Sequence, residues 1–415
     1  MPEIEEQVYK VLVVGGSYAG LAATLNLIDL CHGRKCRFNL DPSAVAPQRK
    51  IPVQVTIVDE RDGYYHLIGV PLALGSNQDA SNFWKKYEDI PALQSPDIKI
   101  IQGSVESVDC KSRVARINQT TASDGHRILE ENYDYMIATT GLRREWPSAP
   151  KSLSREAYLA EMADSVETIE NAAQGVVVVG GGAVGIEIAA ELKMLRPQST
   201  VTLIHSRQAL LSSEPLPEEF SAKALELLKE SNVELILGTR VQETIPANGP
   251  TPPKYKLRLS NGEEIHADHV INAVSKFTPT SSYLPKEACN SEGYIRITPG
   301  LEFAGDVSNR EYHYAAGDIA CWSGVKRGGA AMHQGHFAVV NIHQKMMAEK
   351  YKSEPTFVEL AEVKPMMALA LGATAVGYFP MTGISSGDEV RNMFFNEDLG
   401  YQICWKWMRL GEATA

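Results

Sequence analysis

Residues 8–20 read VYKVLVVGGSYAG, a short apolar run rich in β-branched residues that ends in a glycine cluster. A helical pattern rich in alanine and leucine follows through Leu30, so the order is strand, glycine turn, helix. Gly15 and Gly20 match the pattern GxGxxG, with Ser17 at its middle position, and in this context they predict dinucleotide binding with the pyrophosphate at the N-terminus of the helix. The first glycine makes the tight turn, the small middle residue lets the backbone approach the pyrophosphate, and the last lets helix and strand pack closely. The predicted contacts in this turn are Gly15, Gly16, Ser17 and Gly20.

The same order returns at residues 176–185, which read VVVVGGGAVG and predict a second dinucleotide site. The pattern is complete here, and its glycines are Gly180, Gly182 and Gly185. The next strand, residues 201–204, is followed by His205-Ser206-Arg207, where an NAD-preferring site usually has a carboxylate. Arg207 could pair with the 2′-phosphate of NADPH, or it could be a solvated surface charge.

Acidic residues follow the second strand of the first unit. The strand at residues 53–58 ends in Asp59-Glu60, and we expect Asp59 to accept hydrogen bonds from the adenosine ribose and Glu60 to lie beside it. The gap between Gly15 and Asp59 is about twice the usual spacing of roughly 20 residues. We attribute the difference to an inserted surface loop at residues 31–52.

A Gly-Asp pair near the end of the first unit indicates a flavin site. The strand at residues 313–316 leads to Gly317-Asp318, and a helical pattern runs from about residue 328 to residue 347. The Asp318 carboxylate can bind a ribityl hydroxyl, and the helix N-terminus would stabilise the anionic reduced flavin. Thr140-Gly141, at the end of an earlier strand, belong to the same predicted cofactor site.

Composition excludes several other classes of protein. The chain has 415 residues, enough for two or three domains, and its net charge of −11 argues against a nucleic-acid partner. The acidic N-terminus does not resemble a presequence, and Pro2 excludes N-myristoylation. The longest apolar run, residues 366–379, is too short to span a bilayer and predicts one or two buried strands. We expect a cytoplasmic protein, or one held peripherally on an intracellular membrane.

The cysteines and histidines indicate neither a redox disulfide nor a metal site. Cys31 and Cys36 have C-x4-C spacing, but they precede Asp59, whereas a flavin-linked disulfide would follow the second strand. The histidines are scattered without metal-ligand spacing.

Two dinucleotide units, one inserted within the other, predict an α/β fold with two doubly wound Rossmann-like domains and a small C-terminal α+β module. The expected segments are 1–147 (FAD domain, first part), 148–284 (NAD(P)H domain), 285–354 (FAD domain, second part) and 355–415 (C-terminal module).

Over nearly its whole length the chain resembles the pyridine-nucleotide flavin oxidoreductases, which have a glutathione-reductase-like fold. It is more similar to the apoptosis-inducing-factor homologues, in the branch that includes the ferroptosis suppressor, than to the type II NADH:quinone oxidoreductases. The residues that carry the resemblance are Tyr65-His66, the run VTLIHS at 201–206 and the run WKWMR at 405–409. The resemblance implies bound FAD, NADPH or NADH as the electron donor, and a small acceptor such as a quinone.

The resemblance also implies roles for individual residues. It places His66 near the cofactor, Glu187 beside the nicotinamide and flavin, and His333 and Gln334 on a helix facing the flavin ring; simple capping or packing is the alternative for the last two. Phe395 and Asn396 stand where the family has a lysine near the acceptor. The rival functions are a reductase of a protein electron carrier and a signalling protein switched by flavin state. The oligomeric state is expected to be monomer or homodimer.

The C-terminal tryptophans suggest weak peripheral membrane contact. Trp405 and Trp407 flank Lys406, and on a strand both indoles would lie on one face, where tryptophan favours the membrane interface. Burial of both indoles in the core is the alternative.

Overall fold

The computed structural model describes residues 7–38, 45–121, 125–247, 253–274 and 277–413. The N-terminal residues used to exclude lipidation lie outside these ranges, as does most of the proline-rich stretch 246–253. The helices are α1 (Tyr18–Cys31), α2 (Val70–Ala73), α3 (Asn77–Asn82), α4 (Arg155–Glu170), α5 (Ala183–Leu195), α6 (Glu218–Glu230), α7 (Gly328–Tyr351), α8 (Asp388–Phe394) and α9 (Tyr401–Trp407). The strands are β1 (Tyr9–Val14), β2 (Val53–Asp59), β3 (Gly63–Tyr65), β4 (Trp84–Lys86), β5 (Ile98–Asp109), β6 (Val114–Thr120), β7 (His126–Asn132), β8 (Tyr135–Ala138), β9 (Leu142–Arg143), β10 (Val176–Val179), β11 (Val201–Ile204), β12 (Glu234–Ile236), β13 (Val241–Pro246), β14 (Tyr255–Leu259), β15 (Glu264–Ala267), β16 (His269–Asn272), β17 (Thr278–Pro279), β18 (Ile295–Arg296), β19 (His313–Ala315), β20 (Ala320–Cys321), β21 (Met367–Leu371), β22 (Thr374–Phe379) and β23 (Gly383–Ser386).

The first sheet has the strand order β19-β8-β1-β2-β5-β6-β7. The pairs β19–β8, β8–β1, β1–β2 and β2–β5 are parallel, as expected for apolar strands covered on both faces. Helix α1 is buried along its entire length, and α7 packs so closely on it that a Cβ on Gly335 would lie 2.3 Å from the Ala19 carbonyl oxygen. Strand β19 joins this sheet after the whole second unit has intervened in the sequence.

The second sheet, β12-β11-β10-β16, is parallel throughout and lies within the inserted unit, whereas β5, β6 and β7 of the first sheet pair antiparallel. An antiparallel group, β13-β14-β15, completes the inserted unit. Two sheets with parallel cores, each containing a strand that leads through a glycine turn into a helix, confirm the predicted doubly wound α/β fold.

The C-terminal module combines the antiparallel sheet β21-β22-β23 with α8 and α9. The apolar run at residues 366–379 forms β21 and β22, as predicted. Within the described ranges, no helix is both long and apolar enough to cross a membrane.

The prediction that Trp405 and Trp407 share one face of a strand is wrong, because both lie on α9. Residues two apart on a helix point in different directions. The Trp405 ring lies 5.7 Å from the ring of Tyr401, whereas Trp407 packs on Phe38 at 5.6 Å and is 42% exposed. The structure therefore removes the geometric basis for a tryptophan membrane face.

The insertion at residues 31–52 is more than a surface loop over its described part. Cys31 is the last residue of α1 and is buried, as is Phe38. The Arg37 side chain is 4% exposed, pairs with Asp29 at 2.8 Å and donates to the carbonyl of Met408. The start of the insertion thus links α1 to the C-terminal helix.

Candidate functional site

A cavity of about 2090 Å³ lies between the two sheets and the C-terminal module. Both glycine turns and the carboxyl ends of the parallel strands open into it, which is where doubly wound folds bind ligands. The predicted site residues that line it are Gly15, Ser17, Asp59, Glu60, Thr140, Gly141, Gly180, Gly182, Glu187, Arg207, Gly317 and Asp318. Those that do not line it are Gly16, Gly20, His66, Gly185, His333 and Gln334.

Several glycines of the two turns are required by close packing. Gly15 has φ +105°, and a Cβ there would lie 2.7 Å from the Thr139 carbonyl oxygen. A Cβ on Gly20 would lie 1.8 Å from the Gly15 carbonyl oxygen, and one on Gly185 would lie 1.9 Å from that of Gly180. Gly20 and Gly185 therefore let each helix approach its strand.

Gly16, predicted as a cofactor contact, is required to be glycine by a neighbouring side chain. A Cβ there would lie 2.3 Å from the Tyr87 hydroxyl, which donates to the Gly16 carbonyl at 2.8 Å. The Gly16 N–H donates to Asp59 Oδ2 at 2.6 Å. Gly16 thus connects the turn to the end of β2 without lining the cavity.

Other glycines leave open space where phosphates would fit. A Cβ on Gly182 or Gly141 would meet no atom within 4 Å, and both residues line the cavity. Gly182 also directly precedes α5, whose free N–H groups favour an anion. The turns therefore fit a pair of dinucleotides.

The two acidic residues at the end of β2, Asp59 and Glu60, have different surroundings. Asp59 Oδ1 accepts the Arg61 N–H at 2.8 Å in addition to the bond from Gly16, and burial raises the pKa of this carboxyl. Glu60 is partly exposed and makes a two-bond ion pair with Arg143 at 2.9 and 3.0 Å. Asp59 is thus fixed at the cavity wall, whereas Glu60 joins β2 to the connection between the two units.

Cations surround the Gly-Asp pair. Arg144 Nη2 lies 2.8 Å from Asp318 Oδ2, and the side chains are only 16% and 21% exposed. Lys326 and Arg327 directly precede α7 and line the cavity, and burial lowers the pKa of each. The buried Arg327 Nε has no hydrogen-bond partner among the described residues. An orphaned donor at this helix start fits a bound group with acceptor atoms, such as the flavin ring.

Gln334 contacts the Gly317-Asp318 turn without lining the cavity. Its Oε1 accepts the N–H of Gly317 at 2.8 Å, which fixes a glycine with φ +82°. This contact favours a positioning role for Gln334 over the predicted one facing the flavin ring.

His333 lies on the solvent side of α7, where its ring packs on that of Phe337 at 4.2 Å. It does not line the cavity, so this geometry gives no support to a catalytic role, which stays a prediction. The buried face of the helix carries Met332 and His336 instead.

His66 is fully buried behind the cavity. Its Nδ1 lies 3.0 Å from the Tyr18 hydroxyl, and its Nε2 lies 3.0 Å from the Leu399 carbonyl oxygen. Because a carbonyl only accepts, Nε2 carries the proton and Nδ1 accepts from Tyr18. Burial lowers the pKa of His66 to about 4, so the ring is neutral. The predicted cofactor contact is thus indirect: His66 connects Tyr18, which lines the cavity, to the C-terminal module.

Glu187 lines the cavity where α5 meets the C-terminal module. Its Oε1 accepts the Ala370 N–H at 3.2 Å, and burial raises its pKa to about 8. One turn further along, the fully buried Glu191 faces Arg391 at 3.5 Å, and burial raises its pKa to about 7. Near neutral pH Glu187 therefore holds a proton at the cavity wall.

The C-terminal module gives the cavity an apolar wall that the sequence did not indicate. Its residues are Met367, Ala368, Leu369, Phe379, Phe394 and Phe395. The rings of Phe379 and Phe394 stack at 5.1 Å. An acceptor that touches this wall has to be largely apolar.

The residues after β11 are arranged around the second glycine turn. His205 Nδ1 accepts the Gly181 N–H at 3.1 Å, and burial lowers the pKa of this ring. Arg207 is exposed at the cavity wall and donates to the Ser212 carbonyl at 3.0 Å. Of His205 and Arg207, the residue that carries a positive charge at the end of β11 is therefore Arg207.

All six cysteines are free thiols, and neither Cys31 nor Cys36 lines the cavity. The described residues contain no group of histidine, cysteine and acidic side chains that could hold a metal ion.

Comparisons with known proteins agree with this geometry. Residues 9–335 match the family described as pyridine nucleotide-disulphide oxidoreductase. An oxidoreductase named OXR1 from Ajellomyces capsulatus is 52% identical, with 97% of this chain and 88% of the relative covered. Ferroptosis suppressor protein 1 from Homo sapiens is 26% identical over 98% of this chain and 97% of its own.

Solved structures share the fold at low sequence identity. NDH2 from Plasmodium falciparum superposes with a TM-score of 0.66 at 10% identity and 98% coverage of both chains. The water-forming NADH oxidase from Lactobacillus brevis gives a TM-score of 0.60 at 19% identity, covering 89% of this chain and 74% of its own. The chain thus belongs to the pyridine nucleotide-disulphide oxidoreductase family and is an FAD-dependent NAD(P)H oxidoreductase, as the sequence predicted.

Proposed function

We propose that the protein transfers hydride from NADPH to FAD and then passes the electrons to a small, largely apolar acceptor of the quinone type. One observation carries this proposal: both glycine turns, the Gly317-Asp318 turn and the apolar wall open into the same cavity. Hydride transfer requires donor and acceptor in contact, and a shared cavity allows it.

The first unit supplies the residues that would hold FAD. The turn from Gly15 to Ser17 and the N-terminus of α1 would bind the diphosphate, and Asp59 the adenosine ribose. Asp318 would bind a ribityl hydroxyl, while Arg327 and the N-terminus of α7 would face the ring. The bound flavin provides the two-electron chemistry.

The second unit supplies the residues that would hold NADPH. The turn around Gly182 and the N-terminus of α5 would bind its diphosphate, and Arg207 its 2′-phosphate. Substitutions in an engineered enzyme of the same fold support the assignment of a cationic residue to the 2′-phosphate. The engineered water-forming NADPH oxidase derived from the Lactobacillus brevis enzyme carries five substitutions, of which one removes an aspartate and two introduce arginine.

Glu187 and the apolar wall are the residues we assign to the acceptor. Reduction of a quinone to a quinol consumes protons as well as electrons, and the neutral Glu187 carboxyl can donate one. The stacked Phe379 and Phe394 would contact the apolar ring of the acceptor. The quinone itself follows from the family resemblance described above.

The test is stopped-flow reoxidation of the NADPH-reduced protein by a short-chain quinone, in the wild type and in Phe394→Ala. We expect rapid quinone-dependent reoxidation in the wild type and a KM for quinone raised several-fold in the variant. Reduction by NADPH should change little. Met381→Ser is the matched control, because Met381 lies in the same module, is 97% exposed and does not line the cavity.

The rival functions give different results in the same experiment. Reoxidation by a ferredoxin but not by quinones would favour a reductase of a protein carrier. Slow reoxidation that no acceptor accelerates, with a long-lived charge-transfer band, would favour a signalling protein switched by flavin state. Either result would contradict the quinone proposal.

A further inference from the structure

Arg240 lies beside the turn that contains Arg207, although 33 positions separate them in the sequence. The segment after β12 continues the pairing of β11 and β12: the Thr239 N–H donates to the His205 carbonyl at 3.0 Å. The Gly238 N–H donates to the Arg207 carbonyl at 3.0 Å, and Gly238 turns the chain with φ +64°. The backbone thus places Arg240 next to the end of β11.

Both arginines line the cavity, and both side chains are exposed. Arg207 is oriented by Ser212, whose carbonyl accepts from Nη1 at 3.0 Å, and its other N–H groups are available. Among the described residues, Arg240 makes no side-chain hydrogen bond, and neither arginine pairs with a carboxylate. Two neighbouring cations without a counter-ion repel each other, so an anion between them would be stabilised.

The other polar groups at this end of the cavity do not neutralise the pair. His205 accepts the Gly181 N–H through Nδ1, and burial lowers its pKa, so it adds no charge. Glu243 lines the cavity but pairs with Arg258 at 2.9 Å. Glu214 also lines it, but among the described residues it forms an ion pair with neither arginine.

We propose that Arg207 and Arg240 together form the binding site for the 2′-phosphate of NADPH, and that Arg240 is the second residue that determines coenzyme specificity. The inference rests on the proposed use of NADPH and extends it to a residue on a different loop. The end of the second strand is where doubly wound folds place the adenosine ribose. A phosphate dianion has enough oxygens to accept from two guanidinium groups at once.

The test is calorimetric binding of 2′,5′-ADP and 5′-AMP to the FAD-loaded protein, because these probes differ only in the 2′-phosphate. We expect the wild type to bind 2′,5′-ADP more tightly. Arg240→Ala should reduce this preference about tenfold and leave the affinity for 5′-AMP unchanged. Arg207→Ala should act similarly, the double variant should abolish the preference, and Arg240→Lys should retain part of it.

Lys229→Ala is the matched control, because this exposed cation on α6 belongs to the same unit but does not line the cavity. It should leave both affinities unchanged. If Arg240→Ala weakens both probes equally, Arg240 contacts the adenine or the ribose and the phosphate assignment is wrong. If the wild type prefers 2′,5′-ADP and only Arg207→Ala changes this, the inference about Arg240 fails while the proposed coenzyme stands. Equal binding of both probes by the wild type would overturn both.

Discussion

At the scale of single residues, Glu187 titrates in the range in which the enzyme would be assayed, because burial raises its pKa to about 8. If its protonated form serves the acceptor, kcat with quinone should fall as pH rises through about 8. Glu187→Gln should lower kcat about tenfold or more and remove this pH dependence, since an amide cannot donate a titratable proton. The measurement is the pH profile of kcat with a short-chain quinone under saturating NADPH.

Ferricyanide separates proton transfer from electron transfer in the same variant, because it accepts electrons without protons. Its reduction should be little affected by Glu187→Gln.

The same substitution should also change the pH dependence of stability. A carboxyl whose pKa is raised on folding contributes stability below its ordinary pKa and loses that contribution as pH rises through the pKa of the folded state. The variant should therefore gain thermal stability relative to the wild type above pH 8 and little near pH 4. An unchanged quinone pH profile would exclude Glu187 as the donor.

In our proposal Arg207 determines the preference of the protein for NADPH over NADH. We expect the wild type to have a kcat/KM for NADPH at least equal to that for NADH. Arg207→Ala should lower the value for NADPH about tenfold, or about 1.4 kcal/mol, because the exposed side chain is screened by water. The value for NADH should stay the same. A strong preference for NADH in the wild type, or an equal loss for both coenzymes, would make Arg207 a surface charge only.

At the scale of elements, the start of the insertion holds the C-terminal helix in place. Arg37→Ala removes a buried ion pair to Asp29 and the hydrogen bonds to the carbonyls of Met408 and Arg409. We expect a loss of about 3 kcal/mol, because Asp29 is left buried after losing its ion pair to Arg37, while its ion pair to the more exposed Arg34 remains. Thermal unfolding followed by tryptophan fluorescence measures this, since Trp405 and Trp407 lie on the same helix.

Arg34→Ala is the matched control for this experiment. Its side chain is 34% exposed and pairs with the same carboxylate at 3.0 Å, so its loss should cost much less. Equal effects of the two substitutions would show that only the charge on Asp29 matters and that the carbonyl contacts are unimportant.

The two cysteines of the insertion are structural in our view. Burial raises the pKa of Cys31 and of Cys36 to about 12, so neither thiol forms the reactive thiolate at neutral pH. Replacing both with serine should leave the rate of NADPH oxidation nearly unchanged. A large loss of turnover with normal flavin content would show that this segment takes part in the reaction.

At the scale of the whole molecule, the proposed flavin site is formed by two segments that the inserted unit separates in the sequence. Gly15 and Asp59 come from the first part of the chain, whereas Asp318 and Arg327 follow the inserted unit. We expect the protein to purify with one FAD per chain, released by acid precipitation. FAD at about 100 times its Kd would stabilise the fold by about 2.7 kcal/mol, so its removal should lower the Tm. A folded, colourless protein that cannot be reconstituted would contradict this assignment.

The fold and both glycine turns can be predicted from the amino-acid sequence alone. Strand, turn and helix are local structures, and close packing forces glycine at Gly20 and Gly185, so the motif can be read from adjacent residues. The Gly-Asp pair and the short apolar strands of the C-terminal module could be read in the same way. The predicted acidic residue Asp59 also lies at the cavity, because the end of β2 is fixed by the parallel sheet.

Which side chains face the cavity depends instead on tertiary packing. His66, His333 and Gln334 lie close in sequence to lining residues, but the rotation of α7 and the burial of His66 turn them away. Arg240 and the apolar wall reach the cavity from distant segments, through backbone pairing and packing that no local pattern records. The conformation of α9 could not be predicted locally either. The alternation of Trp405 and Trp407 suits a strand, whereas packing against Tyr401 and Phe38 stabilises a helix. Local patterns fix backbone shape at the glycine turns, whereas the helix α9 and the direction of each side chain depend on contacts made across the whole fold.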